Sequence, residues 1–181
     1  MQTRFIADLH FYDAYSFDWR KSDLDTFVNM ILDNWNRVVA PDDLTIVVGD
    51  IGHYCPKTVE ALKQLNGKKV LVIGNHDAEW GNNLWSSNIF QGIYQTLEYN
   101  GLYIEHIPDE TTIKTQYYIH GHHHQYQAAN MFGCFQRYQA DVLRLNCAVD
   151  LIGYKPCTLQ ELILQKELLI EQFENSRRIE V

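Results

Sequence analysis

Positive charge is scarce in this chain. Fifteen Lys and Arg stand against 23 Asp and Glu, a formal net charge of −8 over 181 residues. A protein that holds nucleic acid by neutralising its backbone needs a basic stripe, and the nearest approach to one is Lys68-Lys69. Nucleic acid therefore enters only as a short single-stranded substrate. Long apolar runs are missing too, so no segment has transmembrane length and no membrane partner is expected. The opening MQTRFIADLH carries neither the basic region nor the apolar stretch of an export signal, which makes the cytoplasm the expected location. Cysteine is sparse: Cys55, Cys134, Cys147 and Cys157 make no CxxC pair and read as reduced, partly buried thiols. There is no repeat, no Pro/Gly/Ser linker and no long charge run. With 46% hydrophobic residues, the chain reads as a single domain over residues 1–181 with room for a real core.

What is present alternates between strand and helix patterns. TRFIA (3–7), LTIVV (44–48) and KVLVI (69–73) are short apolar runs that predict buried strands. Leu24, Phe27, Ile31, Trp35 and Val38 recur at helical spacing over 23–38, with Ser22 as the expected N-cap. Residues 56–65 begin with Pro and end at Asn66-Gly67, the signature of a second helix. IYQTLEY (93–99) and LYIEHI (102–107) flank Asn100-Gly101, a hairpin signal. QYYIH (116–120) and LRLNC (143–147) follow as strands, and Thr158 with Glu161 forms a capping box before a C-terminal helix. On that helix Leu162, Ile163, Leu168, Leu169 and Phe173 read as one packed face. The class is α/β, with two partly mixed sheets.

The eight histidines are unevenly placed. His10, His53, His76, His106 and the run HGHHH (His120, His122, His123, His124) all fall at or just after the carboxyl end of an expected strand. In open α/β sheets ligands bind just outside those ends. Asp8, Asp50 and Asp77 occupy the same turns, beside Asn75, and Gly49, Gly74 and Gly121 each precede a candidate ligand, where a sharp turn or a close backbone approach is expected. An acidic chain that handles phosphate must find positive charge locally, and a bound metal would supply it. A donor set of nitrogen and oxygen without thiolate suits Mn²⁺, Fe²⁺ or Zn²⁺. Seven such side chains are too many for one ion and suit two ions sharing a carboxylate. If residues 120–124 are extended, His122 and His124 share a face, His123 points away, and His120 stands behind as a polar support.

In order along the chain, D-x-H (Asp8, His10), G-D (Gly49, Asp50), G-N-H-D (Gly74 to Asp77), a lone His106 and G-H-x-H (Gly121, His122, His124) resemble the calcineurin-like metallophosphoesterase superfamily. The tail NCAVDLIGYKP (146–156) is similar to that of its small bacterial and phage members. The resemblance implies a four-layer α/β/β/α sandwich and a dinuclear site. It places Asp8, His10, Asp50 and His124 on one ion and Asp50, Asn75, His106 and His122 on the other, with Asp50 bridging. The ions are expected to be manganese, with iron, zinc or nickel as the other choices. His76 would act as catalytic acid, oriented by Asp77, while a metal-bridging hydroxide attacks a phosphate mono- or diester.

The departures narrow this picture. GDIGHY and GNHD replace the GDxVDRG and GNHE of the Ser/Thr protein phosphatases. D-L-H-F-Y-D replaces the D-x-H-F-G-H of many small relatives, so Tyr12 and Asp13 stand where Gly-His would be, and His53 is a candidate stand-in. Residues 125–141 match no motif; they read either as a wall over the site that supplies Arg137 or Tyr138, or as an edge hairpin. Tyr15, Phe17 and Trp19, and separately Trp80 and Trp85, read either as substrate contacts or as packing. A nuclease, and a non-catalytic scaffold of the same fold, are the competing functions.

Overall fold

Four short strands make the first sheet, in the order β1 (Thr3–Ile6), β2 (Leu44–Val48), β3 (Lys68–Val72) and β4 (Gly92–Tyr94). Its three pairings are parallel, and an antiparallel bridge from Phe5 to Cys157 borders β1. Parallel strands need cover on both faces, which is why their sequences are continuous apolar runs: Ile46, Val47 and Val48 are all fully enclosed. The computed structural model describes residues 1–14, 22–108, 115–124 and 143–179. Tyr15, Phe17, Trp19, Cys134, the 125–141 segment with Arg137 and Tyr138, and the side chains of Leu169 and Phe173 lie outside the described residues.

Helix α1 (Leu24–Val38) connects β1 to β2 and buries Phe27, Val28, Ile31 and Trp35. Its cap is Asp23, whose carboxylate accepts from Thr26 N–H at 3.0 Å, so the expected Ser22 sits one residue outside. Helix α2 (Pro56–Gln64) connects β2 to β3, with proline in its first turn. After β3 come a 3-10 turn (His76–Trp80) and the short α3 (Asn83–Ser86).

The second sheet has the order β5 (Leu97–Tyr99), β6 (Leu102–Ile104), β7 (Tyr117–His120) and β8 (Leu143–Asn146). β5 and β6 are antiparallel across Asn100-Gly101, both at positive φ (50° and 78°), and the other pairings are parallel. IYQTLEY is thus not one strand. Residues 92–94 belong to the first sheet and 97–99 to the second, and the chain changes sheets at Gln95-Thr96.

The sheets are stitched together at Ala7, whose N–H donates to Cys147 O at 2.8 Å and whose carbonyl accepts from Val149 N–H at 2.9 Å. Helix α4 (Leu159–Ile179) starts with the expected capping box: Thr158 N–H donates to Glu161 Oε2 at 2.7 Å, and Glu161 N–H to Thr158 Oγ1 at 3.3 Å. Leu162 is buried but Leu168 is half exposed. Six residues are not a whole number of 3.6-residue turns, so the two cannot share a face. Mixed α/β architecture with two sheets and covering helices agrees with the fold the sequence motifs imply. Among the described residues no helix is long and apolar enough to cross a membrane.

Candidate metal centre

The β1–β2 ladder continues past its strands. Asp8 N–H donates to Gly49 O, His10 N–H to Asp50 O (both 3.0 Å) and Phe11 N–H to Ile51 O (3.1 Å). This zipping holds Asp8 and His10 beside Asp50. The second sheet behaves likewise, with Gly121 N–H on His106 O at 3.1 Å and Cys147 N–H on His120 O at 2.8 Å. The turns that leave these ladders are tight. Asp8 (φ 62°), His10 (46°), Asp50 (55°) and His122 (71°) all sit in the left-handed region. Such residues cost about 1–3 kcal/mol each and persist only where surrounding contacts over-determine them, a condition common at functional sites. Gly49, at φ 82°, is pressed against the His106 ring, and a Cβ on Gly74 would overlap the Asp50 carboxylate.

Two clusters result. Asp8, His10 and His124 offer donor atoms within 4.8 Å of one another, and so do Asp50, His106 and His122. Asp50 Oδ2 lies between them, 3.6 Å from His10 Nε2 and 3.1 Å from His106 Nε2. Asn75 Oδ1 is also 3.1 Å from His106 Nε2. All seven residues that the sequence singled out as ligands therefore share one site. Asp8, His10, Asp50 and His106 are buried there, while Asn75 is exposed.

Three of the imidazoles are oriented in the same way. His10 Nδ1 lies 2.9 Å from Asp13 Oδ2, His124 Nδ1 lies 2.8 Å from Asp150 Oδ2, and His106 Nδ1 lies 2.8 Å from Val48 O. Each Nδ1 faces an acceptor and so takes the ring hydrogen, which turns the Nε2 lone pair inward. At His106 that lone pair meets the oxygens of Asp50 and Asn75. These oxygens are satisfied by positive charge, supplied either by a proton on the ring itself or by an ion, and the donor set fits a divalent metal.

The charges express the same demand. Burial raises the Asp8 carboxyl to about 6, against the pull of His106 and His124. Burial would raise Asp50 as well, but the hydrogen bond and charge of His106 outweigh it and hold Asp50 at about 2. Burial would lower His106, and the two carboxylates instead lift it to about 9. In this arrangement the His106 ring takes up the positive charge that the oxygens call for.

Asp77 departs from its expected role. Its carboxylate accepts from Asp50 N–H (3.0 Å), Ile51 N–H (2.8 Å) and Gly74 N–H (2.8 Å), tying the loop after β2 to the loop after β3. The 3-10 turn points it inward, to full burial, while His76 stays exposed. Asp77 fixes backbone rather than the His76 ring, which packs edge-on to His10 with centroids 5.2 Å apart.

The HGHHH run is also not the extended segment assumed from sequence. β7 ends at His120, and His122 leaves the extended conformation with a φ of 71°. His122 and His124 still reach the two clusters, and His123 joins neither. His120 is buried with Nδ1 2.9 Å from Gly121 O, and burial pushes its ring down to about 3. Trp80 is fully buried and donates to Gly52 O at 2.7 Å, so it packs, whereas Trp85 lies mostly exposed. Asp13 and Asp150, which steer His10 and His124, were missed as partners. Asp13 lies three residues after a candidate ligand, and Asp150 in a tail already noted for its resemblance.

The sequence model of the calcineurin-like phosphoesterases matches residues 1–146. The chain belongs to the calcineurin-like phosphoesterase family. Membership implies a hydrolase acting on phosphoester bonds, and the two donor clusters agree with a metal-dependent one. This phosphoesterase is 29% identical over 168 residues to the uncharacterized protein MJ1445 of Methanocaldococcus jannaschii, covering 87% of each chain. It is also similar to the crystal structure of AQ665, a protein of unknown function from Aquifex aeolicus. That match has a TM-score of 0.66 at 25% identity and covers 88% of this chain and 96% of the other.

Proposed function

We propose that residues 1–181 form a single-domain, dinuclear metallophosphoesterase of the cytoplasm that hydrolyses a phosphate mono- or diester. One observation carries the reading: His106 Nε2 lies 3.1 Å from both Asp50 Oδ2 and Asn75 Oδ1, next to a second cluster of Asp8, His10 and His124. Asp8, His10, Asp50 and His124 would hold one ion and Asp50, Asn75, His106 and His122 the other, with manganese the first choice. When bound, such ions activate water and neutralise charge on phosphate oxygens. The protein's own groups do the rest. Asp13, Asp150 and Val48 O fix the tautomers, so that each inward nitrogen is a donor of electrons rather than of a hydrogen. Asp77 keeps the loops of Asp50 and Asn75 together. His76, exposed beside His10, would give its proton to the departing oxygen. The described cysteines, Cys55, Cys147 and Cys157, are free thiols, which suits a reducing compartment.

His76→Gln tests the acid role. The variant should bind metal like the parent and lose little on p-nitrophenyl esters, whose leaving group needs no proton. On alkyl esters it should lose roughly 10²–10⁴-fold in kcat/KM. Equal losses on both would leave His76 a phosphate-binding residue only.

A further inference from the structure

His53 belongs to neither donor cluster, yet it borders the space beside His76. That cleft has a volume of about 270 Å³ and is lined by Tyr12, Asp13, Gly52, His53, His76 and Glu79. It adjoins the ring placed to protonate the leaving oxygen. Among the described residues that line it, His76 apart, hydrogen-bond acceptors predominate. Glu79 accepts from Tyr54 N–H at 2.6 Å, and its two oxygens lie 3.2 and 3.3 Å from His53 Nδ1. A neutral ring with its hydrogen on Nδ1 facing this carboxylate keeps Nε2 as an acceptor. The Tyr12 hydroxyl donates to Asp25, so its oxygen also remains able to accept. Asp13 and Glu79 add two carboxylates to the lining. Away from His76, the described wall therefore offers acceptors and two carboxylates.

We propose that this cleft is the leaving-group subsite and that His53, held by Glu79, selects an uncharged alcohol rich in hydroxyl groups, such as a polyol or sugar, over one bearing a second anion. The proposal rests on the phosphoesterase reading. Hydroxyls near the ester oxygen can donate to His53 Nε2 and to the Glu79 carboxylate. A carboxylate or second phosphate on the leaving group would meet lone pairs and like charge. Glu79 is a positioning residue, since it sets the His53 tautomer and pins the backbone at Tyr54.

The test compares glycerol 3-phosphate with 3-phosphoglycerate, esters of equal length whose far ends are a hydroxymethyl and a carboxylate. For the full-length, manganese-loaded chain, kcat/KM should favour glycerol 3-phosphate by about tenfold or more. Glu79→Gln should shrink that preference several-fold by improving 3-phosphoglycerate. His53→Ala should raise KM for glycerol 3-phosphate several-fold with a smaller change in kcat. If Glu79 only clamps the backbone, its replacement changes both esters alike, and that result overturns the proposal, as does a parent that prefers 3-phosphoglycerate. A second readout needs no turnover. In the zinc-loaded protein the His53 ring C–H signal, identified by its loss in His53→Ala, should shift with glycerol and stay in place with glycerate. If the parent hydrolyses neither ester nor bis-p-nitrophenyl phosphate, the phosphoesterase reading falls. The spectrum still decides the cleft, and a His53 signal unmoved by glycerol refutes the subsite.

Discussion

The two donor clusters differ in what stands behind them. Behind Asp8, His10 and His124 are two carboxylates, Asp13 and Asp150, each within 2.9 Å of an imidazole Nδ1. Behind His106 in the other cluster, among the described residues, is a backbone carbonyl, Val48 O, and its neighbour Asn75 is neutral and exposed. A carboxylate behind an imidazole raises its basicity, so the first cluster presents the more electron-rich nitrogens. The second, with a neutral amide, would leave its ion more Lewis-acidic. If each cluster holds an ion as proposed, one half would serve to retain it and the other to polarise what the ion holds. Asp50 is the hinge of the division, because its Oδ2 is near the imidazoles of both.

Removing the hinge should have the largest effect. Asp50→Asn is expected to lose metal from both clusters and to bring hydrolysis of bis-p-nitrophenyl phosphate below detection, while Asp8→Asn and His106→Ala each keep more metal. Metal analysis of the dialysed variants checks this, and a variant lacking the Asp50 charge with two ions still bound would break the comparison at its centre. A smaller effect should come from the supporting carboxylates. Asp150→Asn should weaken the more tightly held ion about 10–100-fold and leave the second little changed, because the amide can offer a hydrogen to His124 Nδ1 and favour the wrong tautomer. Manganese titration of the variant separates the two affinities. Smallest of all, His123→Ala should keep activity within a few-fold of the parent, since that ring joins neither cluster. A folded but inactive His123→Ala would mean that His123 is needed in addition to His122 and His124.

Much of this arrangement was legible beforehand because strand ends are where the chain must turn. Apolar runs such as LTIVV and KVLVI mark buried strands, and the polar residues that follow them have nowhere to go but the shared rim. Asn100-Gly101 announced its hairpin through the positive φ that both residues tolerate. What stayed hidden depends on tertiary pairing or on single dihedral angles. Asp150 meets His124 only because β8 lies beside β7, and nothing in the spacing of 26 residues says so. Asp77 follows His76 directly and so looks like its partner, but the 3-10 turn sends the two side chains in different directions. Alternation along HGHHH requires an extended backbone, which His122, at φ 71°, does not have. IYQTLEY reads as one strand because both halves are apolar enough for either sheet; only the packing of two sheets shows that Gln95-Thr96 is a crossing.

The central claim is a pair of ions held unequally, and counting them during titration tests it most directly. Metal-free protein should be titrated with Mn²⁺, with ions per chain read by native mass spectrometry. Two ions per chain are predicted, filling in separate steps, with the tighter step weakened by Asp150→Asn and both steps lost in Asp50→Asn. Saturation at one ion per chain, or two ions binding unchanged in Asp50→Asn, would contradict the account.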